Sequence, residues 1–156
     1  MIANEKQAQQ VVISYMGGFA WPTVLLLATC VGVYGACVWH LVTDPHFSWW
    51  VVAGIAFCAY AAYTPVHDGV HGAITGMSIT LRWVNEWAGF IASHLLGVSF
   101  IAHRRGHLNH HRATNHPEDD PDMVFSAKSL PAVIAMWFKG IPKEWMFAVT
   151  FKHFTA

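Results

Sequence analysis

The order of apolar and polar positions along the chain separates a polar N-terminal stretch from three apolar runs. Residues 1–18 are mostly polar and are expected to form a tail. Residues 19–41 carry no formal charge, and as a helix they reach about 34 Å, enough to span a bilayer. A short polar turn separates them from the second run, residues 49–66. These two runs predict two spanning helices, which could form an antiparallel hairpin.

The third apolar run, residues 87–102, is shorter and has cationic residues on both sides. As a helix it reaches only about 24 Å, less than a hydrocarbon core of roughly 30 Å. Arg82 precedes it, and Arg104 and Arg105 follow it. Because cationic flanks tend to stay in the cytoplasm, the run is predicted to be a re-entrant or interfacial segment. Residues 19–156 are therefore expected to form one all-α, polytopic membrane domain.

Composition supports a membrane protein and argues against several other classes. Apolar residues make up 54% of the chain and charged residues only 12%, whereas an average soluble domain is about 25% charged. Basic and acidic residues balance, so no nucleic-acid partner is indicated. The three cysteines lie inside apolar runs and offer neither a disulfide framework nor a cysteine zinc site.

Histidines cluster directly after the second and third apolar runs. The first histidine pair is His67 and His71, and the second histidine set is His107, His110 and His111. On helices the members of each cluster share one face, as ligands of one metal ion would. Imidazole suits Zn, Cu, Fe and Ni, so ligand type leaves the metal open. The first pair lacks the glutamate of a zinc protease, and a histidine-rich site near lipid favours iron and oxygen chemistry.

Several polar residues near these clusters have two interpretations each. Asp68 could orient a ligating imidazole or simply end a helix. The acidic residues within 118–122 could contact the ligands or form a solvated turn. The position of His94 inside the third apolar run favours a packing role for it. His103 lies one helical turn before the second histidine set and has no assigned role.

The motifs His-Asp-Gly-Val-His and His-Leu-Asn-His-His, the latter followed by Arg-Ala-Thr-Asn-His-Pro-Glu-Asp-Asp-Pro-Asp, resemble the first two histidine boxes of the membrane fatty acid desaturase superfamily. The resemblance covers roughly residues 49–125. It implies a non-haem centre of two irons on the cytoplasmic side. By this resemblance the iron ligands are His67, His71, His107, His110 and His111. His103 lies outside the matched box.

The resemblance implies O2-dependent fatty acyl desaturation in lipid metabolism, with electrons from a ferredoxin or a haem electron carrier. Carotenoid hydroxylases and ketolases of the same superfamily are an alternative, and a non-catalytic membrane metal- or haem-binding protein is another. The family pattern also includes a third box far downstream, whereas only His153 follows His116 here. We therefore expect the chain to be the N-terminal portion of a longer protein and to be inactive in isolation.

Overall fold

The described part of the chain is helical. A computed structural model describes residues 7, 10–11, 18–44, 46–136 and 138. The expected tail lies almost wholly outside the described residues, and His153 lies outside them as well. The helices are α1 (Trp21–Thr43), α2 (Trp49–Ala61), α3 (Tyr63–His71), α4 (Arg82–Leu96) and α5 (Phe100–Ala113), followed by a 3₁₀-helix (Pro121–Phe125) and a further helix that begins at residue 130. Among the described residues there is no strand, which confirms the predicted all-α class.

The chain divides into two compact units. The hairpin unit, Met1–Gly97, contains α1 to α4, and the C-terminal unit, Val98–Ala156, contains α5 and the 3₁₀-helix. The first histidine pair belongs to the hairpin unit and the second histidine set to the C-terminal unit.

Two long helices in the hairpin unit match the predicted spans. By length and composition, Trp21–Thr43 and Trp49–His71 can each cross a membrane, which confirms the prediction of two such helices. The second passes the predicted end at residue 66 and includes the first histidine pair. It consists of α2 and α3, separated by a turn at Ala62. Pro65 explains this turn, because proline has no N–H to donate and its ring crowds the carbonyl four residues earlier.

Contacts between α1 and α2 show that the predicted hairpin is antiparallel. The Cys58 thiol donates to the carbonyl of Cys30 (3.3 Å), and the Cys37 thiol lies 3.8 Å from the carbonyl of Val51. Cys37 follows Cys30 in α1, but its partner Val51 precedes Cys58 in α2, so the two helices run in opposite directions. All three cysteines are buried and free, consistent with small apolar residues in a helix interface.

Helix α4 packs closely on α3 and ends beside the middle of the hairpin. A Cβ placed on Gly69 would lie 2.8 Å from the carbonyl oxygen of Asn85 and 2.9 Å from Cα of Gly89, so glycine permits the two backbones to approach. Near the other end of α4, Leu95 packs against the buried cluster that contains Cys30. Helix α4 therefore runs from the end of the hairpin that holds α3 to about its middle.

The third apolar run is not one helix. The sequence predicted a segment over residues 87–102, but α4 ends at Leu96 and α5 begins at Phe100. Gly97 ends α4 in the left-handed conformation (φ 68°), and the Ser99 hydroxyl accepts the amide of Ala102 to cap α5. Gly97 and Ser99 therefore divide into two helices a stretch that hydropathy alone predicts to be one segment.

Helix α4 has its small residues inside and its large apolar residues outside. The buried residues are Asn85, Ala88, Gly89, Ala92 and Ser93. The exposed side includes Trp83, Trp87, Phe90 and Ile91. Such a continuous apolar surface is unusual in a soluble monomer and suits lipid, while small residues allow close helix packing. A re-entrant position for α4 stays a prediction.

Candidate metal-binding histidines

The first histidine pair shares one face of α3, as its spacing predicts. The ring centroids of His67 and His71 are 4.6 Å apart. His71 is exposed and His67 is half-buried. The two rings therefore lie close together on a partly exposed face of the helix, where each can present one nitrogen to the same ion.

Asp68 connects the first pair to the start of α1. Its Oδ2 accepts a hydrogen bond from the hydroxyl of Thr23 (2.7 Å), and its Oδ1 lies 3.4 Å from Nδ1 of His67. The amide of Ala20 donates to the carbonyl of Ile74 (2.7 Å) and adds a second connection to the loop after α3. Asp68 thus lies beside a candidate ligand, and the shorter of its two contacts is the hydrogen bond from Thr23 of α1.

Asn85 fixes the loop that follows the first pair, a role that the sequence analysis missed. Its Oδ1 accepts the amides of Ile74 (3.0 Å) and Thr75 (3.3 Å), and its Nδ2 donates to the hydroxyl of Thr75 (2.6 Å). Asn85 is only 3% exposed, so these bonds satisfy polar groups away from solvent. An amide between two tryptophans, just before the third apolar run, was the available signal.

Two members of the second histidine set present facing nitrogens on α5. The Nε2 atoms of His107 and His111 are 3.1 Å apart. Two nitrogens bound at right angles to one ion, each at roughly 2.1 Å, would be separated by about 3.0 Å. The observed pair therefore fits a shared metal ion, and neutral imidazole is a suitable donor for iron. In metal-free protein the same distance suits an N–H···N hydrogen bond.

The third member of the set, His110, contacts a buried carboxylate instead. Its Nδ1 lies 2.8 Å from Oδ1 of Asp120, whose side chain is 2% exposed, and 3.3 Å from Oδ2 of Asp122. Oδ1 of Asp120 also accepts the amide of Asp122 (2.9 Å), and Oδ2 accepts the amide of Asn115 (2.7 Å). The three side chains of His110, Asp120 and Asp122 form a second group that could hold a metal ion.

These contacts shift the pKa of both partners. The hydrogen bond with Asp120 raises the pKa of His110 above its ordinary value, although burial acts in the opposite direction. Burial alone would raise the pKa of Asp120, but hydrogen bonds from His110 and from the amides of Asp122 and Asn115 lower it. Asp120 is therefore an ionised acceptor at neutral pH.

His94 and His103 each contact a residue of their own helix. Nδ1 of His94, which is exposed, lies 2.8 Å from the carbonyl of Phe90 in the preceding turn, and a packing role for it stays a prediction. His103 stacks on His107, with ring centroids 5.6 Å apart and an angle of 14° between the planes. His103 thus lies beside the second histidine set, on the same helix.

Comparison with known proteins identifies the family. The fatty acid desaturase family model matches residues 45–155, which include both histidine clusters. The chain belongs to this family, as its motifs predicted. A zeaxanthin 4-ketolase from Chlamydomonas reinhardtii is 31% identical over 136 residues, which cover 80% of this chain and 29% of that protein. The chain thus spans less than a third of this relative's length. No solved structure matches the chain.

Proposed function

We propose that this chain is part of a membrane-embedded, non-haem di-iron oxidoreductase whose reaction is O2-dependent fatty acyl desaturation. The 3.1 Å approach of the His107 and His111 Nε2 atoms, within the segment that matches the desaturase family, carries this proposal. The apolar outer side of the hairpin unit suits a protein that takes its substrate from lipid.

The proposed iron ligands are the histidines of both clusters, on the cytoplasmic side of the membrane. His67 and His71 would act from α3, and His107, His110 and His111 from α5. Bound iron would activate O2 for removal of hydrogen from an unactivated C–H bond. The residues of this chain would hold the imidazoles in place, with Asp68 and Asp120 beside the rings of His67 and His110.

The proposed reaction balances with one external donor. Loss of two hydrogens from an acyl chain supplies two electrons and two protons. Two further electrons, from a ferredoxin or a haem electron carrier, and two further protons complete the reduction of O2 to two waters. The donor would approach from the side of the membrane that carries the histidine clusters.

Carotenoid ring oxidation is a second candidate, supported by the ketolase that is similar to most of this chain. The family match and this relative support the two substrates to the same degree. A purely metal- or haem-binding role has less support, because bis-histidine haem sites usually pair single histidines on separate helices, whereas here they are clustered.

Expression of the full-length protein in a host that makes both acyl lipids and carotenoids tests the proposal. We expect new acyl double bonds and bound iron, both lost when His107 and His111 are replaced by Ala. His46→Ala is the control, because His46 is exposed and pairs with Asp44 in the loop between α1 and α2. New keto groups on carotenoids with unchanged acyl chains would favour the second candidate. Iron that survives the double replacement would contradict both.

A further inference from the structure

A single carboxylate is buried in an otherwise exposed acidic loop. Asp120 is 5% exposed, whereas Glu118, Asp119 and Asp122 are exposed. Burial of a carboxylate costs free energy unless hydrogen bonds compensate it, and Asp120 accepts hydrogen bonds on both oxygens. Its burial therefore distinguishes it from its neighbours and calls for a specific role.

The chain after α5 returns so that Asp120 meets the helix it has just left. Asn115 adopts the left-handed conformation (φ 63°) directly after the helix end and reverses the chain. Asp120 then caps the 3₁₀-helix by accepting the amide of Asp122. The result places Oδ1 of Asp120 at 2.8 Å from Nδ1 of His110, which is ten residues earlier.

This contact determines which ring nitrogen of His110 is available. An ionised carboxylate accepts hydrogen bonds and does not donate them, so the proton must reside on Nδ1 of the imidazole. In the neutral ring Nε2 then keeps its lone pair, the form that a metal requires. A carboxylate on the far nitrogen also fixes the ring orientation and increases the basicity of the donor atom.

We propose that Asp120 is a positioning residue that holds His110 in the Nδ1–H tautomer and directs its Nε2 to the metal. This inference rests on the proposed function, because it takes His110 as a ligand. It assigns separate roles within the second histidine set. His107 and His111 present facing Nε2 atoms on one face of α5, whereas the orientation of His110 is set by the loop after the helix.

Asp120→Asn separates this role from capping of the 3₁₀-helix. Asparagine caps helices about as well as aspartate, so the 3₁₀-helix should persist, although the NH2 group takes the place of the oxygen that accepts the amide of Asn115. It removes the negative charge and weakens the bond to Nδ1. In the purified full-length protein we expect iron affinity, measured by chelator competition, to fall by about 10- to 100-fold. The Mössbauer spectrum of the iron that remains should also change.

Two neighbouring variants serve as controls. Asp119→Asn removes an exposed carboxylate and should leave affinity and spectrum unchanged. Asp122→Asn should have a much smaller effect than Asp120→Asn, because Asp122 lies farther from Nδ1 of His110 and is exposed. Equal losses in Asp120→Asn and Asp122→Asn would indicate that both carboxylates bind the metal directly and would overturn the inference.

The experiment also distinguishes this inference from the proposed function. Wild-type protein without iron, or iron that survives His110→Ala, would remove the premise that His110 is a ligand. Iron that is lost in His110→Ala but unchanged in affinity and spectrum in Asp120→Asn would overturn the positioning role alone.

Discussion

The first histidine pair is held by parts of the chain that are far apart in sequence, whereas His110 in the second set is held by the loop next to it. Helix α3 contacts α1 through Thr23 and Asp68 and contacts α4 through Gly69 and Gly89. His110 instead meets Asp120 just after its own helix. Helix packing thus supports the histidines in one region. In the other, His110 is supported by the return loop, residues 114–120, which follows α5.

This difference predicts how each cluster responds to substitution. Damage to the helix interface should destabilise the hairpin unit and disturb His67 and His71 as a consequence. Damage to the return loop should disturb His110 at a smaller cost in global stability, because fewer packed helices depend on it. The following substitutions test this contrast.

Gly69→Ala should have the largest effect. The new Cβ would meet backbone atoms of Asn85 and Gly89 at 2.8 and 2.9 Å, and neither can move without separating α3 from α4. We expect a loss of ~3 kcal/mol, at the upper end of the cost of overpacking. Thermal denaturation of the full-length protein in detergent measures it.

Gly35→Ala is the matched control for Gly69→Ala. Gly35 lies within α1, and a Cβ there would meet no atom of another helix within 4 Å. Alanine also favours a helix over glycine, so stability should be unchanged or higher. If the two variants were equally stable, the close packing of α3 on α4 would not be what holds the first histidine pair.

Asn85→Ala should have the next largest effect. It leaves the amides of Ile74 and Thr75 without their acceptor in a buried position. A buried donor without a partner costs roughly 1–3 kcal/mol, and we expect a total loss of about 2 kcal/mol. Asn109→Ala, on an exposed position of α5, is the control and should leave the denaturation midpoint unchanged. Equal midpoints for the two variants would argue that the loop after α3 does not need Asn85.

The elements that could be predicted from sequence are those with a strong local period or length. The two long apolar runs predicted two spans, and the i, i+4 spacing predicted the shared faces of His67 with His71 and of His107 with His111. Hydropathy could not locate the boundary between α4 and α5, because apolar residues continue past Gly97. The left-handed conformation of that glycine ends the helix there.

The supporting residues were harder to predict, because their roles depend on tertiary burial. Asn85 is one of several polar residues just before the third apolar run, and its function follows only once the loop after α3 reaches it. Asp120 cannot be distinguished by composition from the other acids of its loop. The chain reversal at Asn115 brings it against His110 as the nearer and the only buried one of these acids.

Thr23→Val should have a moderate effect on the hairpin unit. Valine has the same shape but cannot donate to Asp68, whose carboxylate would lose its 2.7 Å bond. We expect a loss of about 1 kcal/mol, because the carboxylate is partly exposed and water can replace the hydroxyl. Thr29→Val removes only a bond to the preceding turn of α1 and is the control. A double-mutant cycle with Asp68→Asn should show coupling for Thr23 and none for Thr29.

Asn115→Ala should have the smallest effect on stability and still affect the second histidine set. Alanine adopts a φ of 63° less readily than asparagine, which costs about 0.5–1 kcal/mol. Asn115→Gly is the matched control, because glycine adopts this conformation without strain. We expect iron affinity to fall in the alanine variant, because strain at the turn disturbs the loop that brings Asp120 to His110. It should be retained in the glycine variant, which keeps both the turn and the backbone amide that donates to Asp120. An alanine variant that retained full iron affinity would mean that the return loop tolerates strain, so that the local support of His110 does not depend on the turn at Asn115.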